Sequence, residues 1–392
     1  MTTRLLIGGD GYIGWPLAIS LCKRYPRDRL MVVDSGLRRR LVAKVGGDSL
    51  LPIAPFKERL RFLEALNPQV EGIRLDAANP DGIVPLIAEN KPQVLFHLGH
   101  QPSGPYSMAS LSQTLETVAN NEFSTLNILW AMREYCRDSH LIKMGSFGAY
   151  AKPGLDIPEG YFLPEYRGRI GVEVAPFPRV ADDVYHATKI NDANFVSIAC
   201  RKWRLRVTDV MQSTVFGTGH EITGLDPRAH TRFDYDSTFG TVLNRFVVQA
   251  ISGQQLSVYG TGRQTTGLMA LPDCIEMLMR LAEATQEPGT HRVVNNVSYR
   301  YSINELAALV QSSARDRQFQ VAVSRNWNPR QEDCAGIPEY SVLTDTLRQY
   351  ITPAPLTESI YQAFDRLMPY RDRIRPGILE PSYDWRMDGG GM

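Results

Sequence analysis

The chain has 392 residues, 43% of them hydrophobic and 22% charged, and 43 Lys and Arg stand against 42 Asp and Glu for a formal charge of +1. This composition describes a folded globular protein. It excludes disorder, collagen-like repeats and any global field that would draw nucleic acid, an anionic membrane or a polyacidic partner. The five cysteines (Cys22, Cys136, Cys200, Cys274, Cys334) are far apart and free of Cys-x-x-Cys spacing, which argues against a disulfide framework and against a zinc site. No apolar run approaches the roughly 18 residues of a membrane span, and Leu5-Leu6-Ile7 runs into glycines instead of a signal cleavage region, so a reducing cytoplasm is the expected location.

Arg4–Ile7 predicts a strand, Tyr12–Tyr25 a helix and Leu30–Asp34 a second strand, the pattern of a βαβ unit. Further strands are expected at Gly72–Leu75, Val94–Leu98 and His140–Met144, with helical periodicity between them over Leu111–Glu134. The economical fold class is α/β, a Rossmann-type doubly wound parallel sheet. Arg206–Met211, Leu256–Tyr259 and Arg292–Asn295 are later strand candidates separated by long polar segments, so the chain is expected to leave the sheet repeatedly. This divides it into a nucleotide-binding domain, 1–210, to which later segments return, and a smaller, mainly substrate-binding C-terminal lobe, 211–392. Ala151–Pro178 and Gly217–Arg232, rich in proline and glycine, are long enough to predict functional loops over a site.

Gly8-Gly9-Asp10-Gly11-Tyr12-Ile13-Gly14 lies between the first strand and the first helix. Gly8 permits a tight turn, Gly11 lets backbone amides approach a pyrophosphate, and Gly14 allows close helix–strand packing. About twenty residues on, Asp34 ends the second strand where a carboxylate accepts from an adenosine ribose, which favours NAD over NADP. Arg38, Arg39 and Arg40 follow and offer charge to a 2′-phosphate, but Asp34 would repel one. Asp76, at the end of the third strand, is a candidate for the adenine edge, so the expected cofactor contacts are Gly8, Gly11, Tyr12, Ile13, Gly14, Asp34, Arg38 and Asp76, together with Asn121, Tyr185 and Lys189 further along the chain.

Tyr185 and Lys189 are four residues apart, on one face of a helix. The lysine charge lowers a phenol pKa, so Tyr185 can take the proton of a sugar hydroxyl while its carbon is oxidised. Ser146, ending the strand before them, can share the same substrate oxygen. This order resembles the extended short-chain dehydrogenase/reductase superfamily, that is, the NAD-dependent epimerase/dehydratase family. The resemblance implies an active-site role for Asn121 and a homodimer.

Nearly the whole chain is similar to the UDP-sulfoquinovose synthases, through Gly8–Trp15, Gln101–Met108, Tyr185–Lys189, Phe233–Gln249, Val258–Gly267, Ser302–Leu306 and Asn328-Pro329-Arg330. That family oxidises a sugar hydroxyl, loses the C6 hydroxyl as water, adds sulfite and reduces the ketone. Five positions depart from its pattern: His100 and Pro102 replace an acid and an arginine, Ala149 a glutamate, Met211 an asparagine and Thr266 an arginine. Loss of a guanidinium at a diphosphate is not conservative, although Arg330 remains as an anion ligand. The reading that follows is a dehydratase without sulfonation, giving an exo-glycal on a hexose-bearing nucleoside in nucleoside-antibiotic biosynthesis. His186 offers an acid for the departing hydroxyl, or is a helix histidine bonded to backbone. Lys143 is a base near C5 or an edge charge, the latter being favoured. His100, Gln101, Ser146, Gln212 and Arg330 are expected around the sugar. UDP-sulfoquinovose synthase activity, a 4-epimerase and a non-catalytic dinucleotide sensor are the competing readings.

Overall fold

The computed structural model describes residues 1–151, 154–219, 226–326 and 340–379. The first half alternates strand and helix as β1 (Thr3–Ile7), α1 (Gly14–Arg24), β2 (Arg29–Asp34), α2 (Leu37–Lys44), α3 (Phe56–Leu66), β3 (Val70–Arg74), α4 (Pro80–Asn90) and β4 (Val94–His97). It continues with α5 (Gly104–Met108), α6 (Leu111–Val118), α7 (Ser124–Tyr135) and β5 (His140–Met144). The single helical period expected over Leu111–Glu134 is interrupted at Ala119–Phe123 by a π-helical turn, which buries Asn120 and Asn121. Such wide turns often mark functional sites. Two small ribbons, β6 (Tyr161–Phe162) with β9 (Ala175–Pro176) and β7 (Glu165–Tyr166) with β8 (Arg169–Ile170), precede α8 (Val184–Trp203) and β10 (Arg206–Gln212).

The second half runs β11 (Thr214–Phe216), α9 (Val242–Ile251), β12 (Leu256–Tyr259), β13 (Thr265–Ala270), α10 (Leu271–Glu283), β14 (His291–Asn296), β15 (Tyr299–Ser302), α11 (Ile303–Arg315), β16 (Val323–Asn326), α12 (Asp345–Tyr350) and α13 (Leu356–Leu367). Seven strands form one sheet in the order β14-β10-β5-β4-β1-β2-β3, with every neighbouring pair parallel. Helices cover both faces. Trp15, Leu17, Ile275 and Leu278 pack against Leu6, Phe96 and Val210 on one side, and Ile83, Ile128, Met132 and Val196 against Leu5, Leu95 and Leu141 on the other. This double coverage is why β4 and β5 are buried at every position and read as apolar runs instead of alternating. Strand order reverses between β1 and β4, so a crevice opens beyond their carboxyl ends. A second core gathers Phe246 and Val247 of α9, Leu306 and Val310 of α11 and Phe364 of α13. There β12 pairs with β16, while α10 and β14 return to the main sheet. Among the described residues no helix is long and apolar enough to cross a membrane.

Candidate active site

The crevice holds a cavity of about 630 Å³. At its floor Gly8 has φ +87°, and the amides of Gly8 and Gly9 both donate to the Val33 carbonyl, at 2.8 and 3.2 Å. A Cβ on Gly8 would stand 2.7 Å from the Gly99 nitrogen, and one on Gly14 only 2.0 Å from the Gly8 oxygen. The start of α1 thus meets the turn in a space no side chain could share, a cradle that fits the backbone approach of a dinucleotide pyrophosphate. Gly8, Gly11, Tyr12, Ile13, Gly14, Asp34, Arg38 and Asp76 all border the cavity. Tyr12 is braced from the other half of the chain: its hydroxyl donates to the Gly217 carbonyl at 2.7 Å, and the Thr231 hydroxyl donates to its carbonyl at 2.8 Å.

Charge around the cradle is already organised by the protein. The Asp34 carboxylate accepts from the Asp10 amide (2.9 Å) and the Gly36 amide (2.6 Å), while burial and the neighbouring Asp10 push its pKa up. Asp10, although buried, is held below the usual carboxylate range by Arg59, Arg39 and Arg74. In the expected arginine run, Arg38 pairs with Asp234 (2.9 Å) over the Phe239 ring, Arg39 pairs with Asp10 (2.8 Å), and Arg40 donates to the Ser35 carbonyl (2.7 Å). Two of these three guanidiniums are neutralised by carboxylates, consistent with a site built for an adenosine ribose without a 2′-phosphate.

α8 carries the acid–base groups. Asp183 is its N-cap, one carboxylate oxygen accepting from the His186 amide at 2.8 Å and the other lying 3.0 Å from His186 Nδ1. That pairing places the proton on Nδ1 and leaves Nε2 beside the Ser146–Ala149 turn, where a Cβ on Gly148 would come within 2.5 Å of it. Tyr185, His186, Lys189 and Ser146 all border the cavity. Burial pushes the Tyr185 phenol up to about 12, against a hydrogen bond with Ser146 that lowers it. Lys189 Nζ donates to the Met144 carbonyl (2.8 Å), lies 2.5 Å from His100 Nδ1 and sits 5.6 Å from the centre of the Tyr185 ring. Burial and the neighbouring Lys143 push its pKa down.

Several expected site residues have other employment. Asn121 is buried behind the cavity, where its side-chain oxygen accepts from the Gln101 amide (2.8 Å) and its nitrogen donates to Thr188 (3.0 Å), so it fastens the loop after β4 to α8. Gln101 borders the cavity but donates its side-chain amide to Ser103 and Thr117, and Gln212 donates to the Ser213 carbonyl while accepting from Asn296. Both are framework groups in this arrangement. His100 borders the cavity with both ring nitrogens engaged, Nδ1 by Lys189 and Nε2 by Thr125 at 3.3 Å. Lys143 is neither a base near the sugar nor an edge charge: it is fully buried between Asp192 (3.4 Å) and Asp209 (3.6 Å). Ala149 and Met211 lie in an apolar cluster with Phe147 and Phe177, whereas Pro102 and Thr266 border the cavity. Arg330 lies outside the described residues. Within Ala151–Pro178 and Gly217–Arg232, expected to cover the site, no described residue borders the cavity; Ile157, Tyr161, Phe162 and Phe177 of the first pack in that same apolar cluster.

Asp183 was not anticipated, although an acid three residues before a histidine at a helix start is a capping signal. Arg300, also unanticipated, reaches the cavity from β15, opposite Gly267, and donates to the Tyr340 carbonyl at 2.6 Å. No motif or spacing announces it.

The chain is similar to known proteins over nearly its whole length. The pattern of the NAD dependent epimerase/dehydratase family matches residues 5–296. The chain is 33% identical to the chloroplastic UDP-sulfoquinovose synthase of Spinacia oleracea, over 98% of this chain and 79% of that protein. It is 34% identical to the UDP-sulfoquinovose synthase of Sulfolobus acidocaldarius, over 97% of each. The structure of Thermus thermophilus UDP-glucose 4-epimerase in complex with NAD superposes with a TM-score of 0.63 at 19% identity, covering 93% of this chain and 98% of that one.

Proposed function

The chain belongs to the NAD-dependent epimerase/dehydratase family, with NAD as its cofactor, and from that premise we propose that it is a sugar dehydratase that forms an exo-glycal, with a hexose-bearing nucleoside as substrate. The observation that carries the reading is the Asp183–His186 pair beside Tyr185, Ser146 and Lys189 on one cavity wall. The glycine turn, Asp34, Arg38 and Asp76 border the cavity and would hold NAD, which would supply a reversible two-electron oxidation of the sugar with no net consumption.

Tyr185 takes the proton of a ring hydroxyl as its carbon becomes a ketone, and Ser146 holds that oxygen. The ketone acidifies the adjacent C–H. That proton passes to His186 Nε2 and from there to the C6 hydroxyl, which leaves as water, so that an exocyclic C=C conjugated with the ketone remains. His186 gives the proton to the departing hydroxyl, and Asp183 stabilises its protonated form. Reduction of the ketone, with Tyr185 returning its proton, completes a net loss of one water. Pro102 and Thr266, uncharged at the cavity wall, support a substrate with fewer anionic groups than a UDP-sugar plus sulfite.

A second reading, UDP-sulfoquinovose synthase activity, is favoured by Arg300 and Arg245, two guanidiniums that border the same cavity. Assembly as a homodimer is part of the proposal, with light scattering as its check. The deciding experiment is mass spectrometry of the purified protein with NAD and psicofuranine, beside UDP-glucose with and without sulfite. The expected result is loss of one water from the nucleoside alone. Sulfonation of UDP-glucose with no change in the nucleoside would replace the first reading by the second.

A further inference from the structure

Behind the cavity wall lies a buried group of charges for which the reaction above has no use. His97, Lys143 and Asp209 stand side by side on β4, β5 and β10, the register pairing His97 with Lys143 and Lys143 with Asp209. Asp192 of α8 lies over them, 3.4 Å from Lys143 Nζ, and Asp209 is 3.6 Å from the same nitrogen on the other side. His97, Lys143, Asp192 and Asp209 are all 0% exposed. Lys143, Asp192 and Asp209 are thus sealed from solvent, and Lys189, which borders the cavity, completes a group of two lysines and two aspartates. Ion pairs so placed are costly unless they serve some other end.

His100 connects this layer to the active site. Its Nδ1 meets Lys189 Nζ at 2.5 Å, and its Nε2 lies 3.3 Å from Thr125 and 3.7 Å from an Asp192 oxygen. A ring placed so takes the Nε2–H tautomer and offers Lys189 a lone pair, not a negative charge. We propose that His100 is a positioning residue that couples the Lys189 amine to Asp192 and the buried Lys143–Asp209 pair, making Lys189 a titratable amine whose charge gates the ionisation of Tyr185. The inference rests on Tyr185 and Lys189 being the acid–base pair of the proposed reaction. The groups that face Lys189 are Tyr185 and Asp192 from its own helix, His100 from the loop after β4, His97 from β4, Lys143 from β5 and Asp209 from β10. Of these, only the two carboxylates favour the ammonium, and each is nearer to Lys143, in whose direct contact both lie. Burial and Lys143 acting on Lys189, and burial and Lys189 acting on His100, push both pKa values down.

The test is titration of Lys189 by NMR in protein carrying 13Cε-lysine; the sequence has only eight lysines, so the resonances are separable and a Lys189→Met sample assigns the one of interest. The expected midpoint lies well below the roughly 10.4 of a free lysine. His100→Glu, which sets a carboxylate against the amine, raises it by about one pH unit or more, and Asp192→Asn lowers it. The alkaline limb of the kcat profile moves with the midpoint in each variant. An ordinary midpoint in the unaltered protein, or one that neither folded variant moves, overturns the proposal. Because the NMR readout needs no substrate, it decides this point even if the dehydratase reading fails.

Discussion

At the scale of single residues, the sharpest question is what Asp183 does, because it has two jobs that one substitution separates. As N-cap it accepts from the His186 amide, and as a carboxylate it faces His186 Nδ1. Asparagine caps a helix about as well as aspartate, but it carries no charge to stabilise an imidazolium. Asp183→Asn is therefore expected to leave the melting temperature within about two degrees of the parent while lowering kcat about 100-fold. Equal losses of stability and activity would make Asp183 a cap only. Tyr185, Lys189 and Ser146 were legible because their order and spacing are a motif with chemistry behind it. Asp183 was not, since its role depends on a side-chain rotamer at a helix end. Nor was the burial of Lys143: an isolated lysine among apolar neighbours looks alike at a sheet edge and in a sealed charge layer until the facing helix supplies Asp192.

At the scale of elements, the strands of the first half were readable because burial on both faces turns them into short apolar runs bounded by turn residues. The break of the helix at Ala119–Phe123 was not, because a π-turn leaves the 3.6-residue period nearly intact while shifting which side chains face inward. The β1–α1 junction is where sequence and structure constrain each other most tightly. Gly14 is replaceable only if the helix retreats, since a methyl there would stand 2.0 Å from a backbone oxygen that has nowhere to move. Gly14→Ala is expected to weaken NAD binding at least about tenfold by titration calorimetry, through displacement of the α1 amides from the pyrophosphate position. Unchanged affinity would show that the cofactor does not rest on this turn.

At the scale of the whole molecule, buried titratable groups fix how stability depends on pH. His97 and His100 have pKa values pushed well below that of a free imidazole by burial and then by neighbouring lysines, and His140, bonded to Thr208, is lowered to about 4 by burial and Arg292. Each is neutral in the fold and titrates near 6.5 once unfolded. Their contribution is therefore complete above about pH 6.5 and lost as pH falls from there toward the folded values. Each such histidine adds about 1.4 kcal/mol per pH unit to the slope in that window. Asp192 and Asp34, whose folded pKa values are raised chiefly by burial, act in the opposite sense and offset part of it. Asp10 and Asp234, held low by arginines despite burial, extend the loss below pH 4. The apo protein is thus expected to lose stability steadily between about pH 6.5 and 4. His140 is remote from the catalytic groups, so His140→Gln isolates one histidine. Urea unfolding at pH 7.5, 6 and 5 should give a curve shallower than the parent's by about 1.4 kcal/mol per unit. Parallel curves for the two proteins would mean that His140 takes up its proton in the fold at the same pH as in the unfolded chain, and that its bond to Thr208 survives the charge.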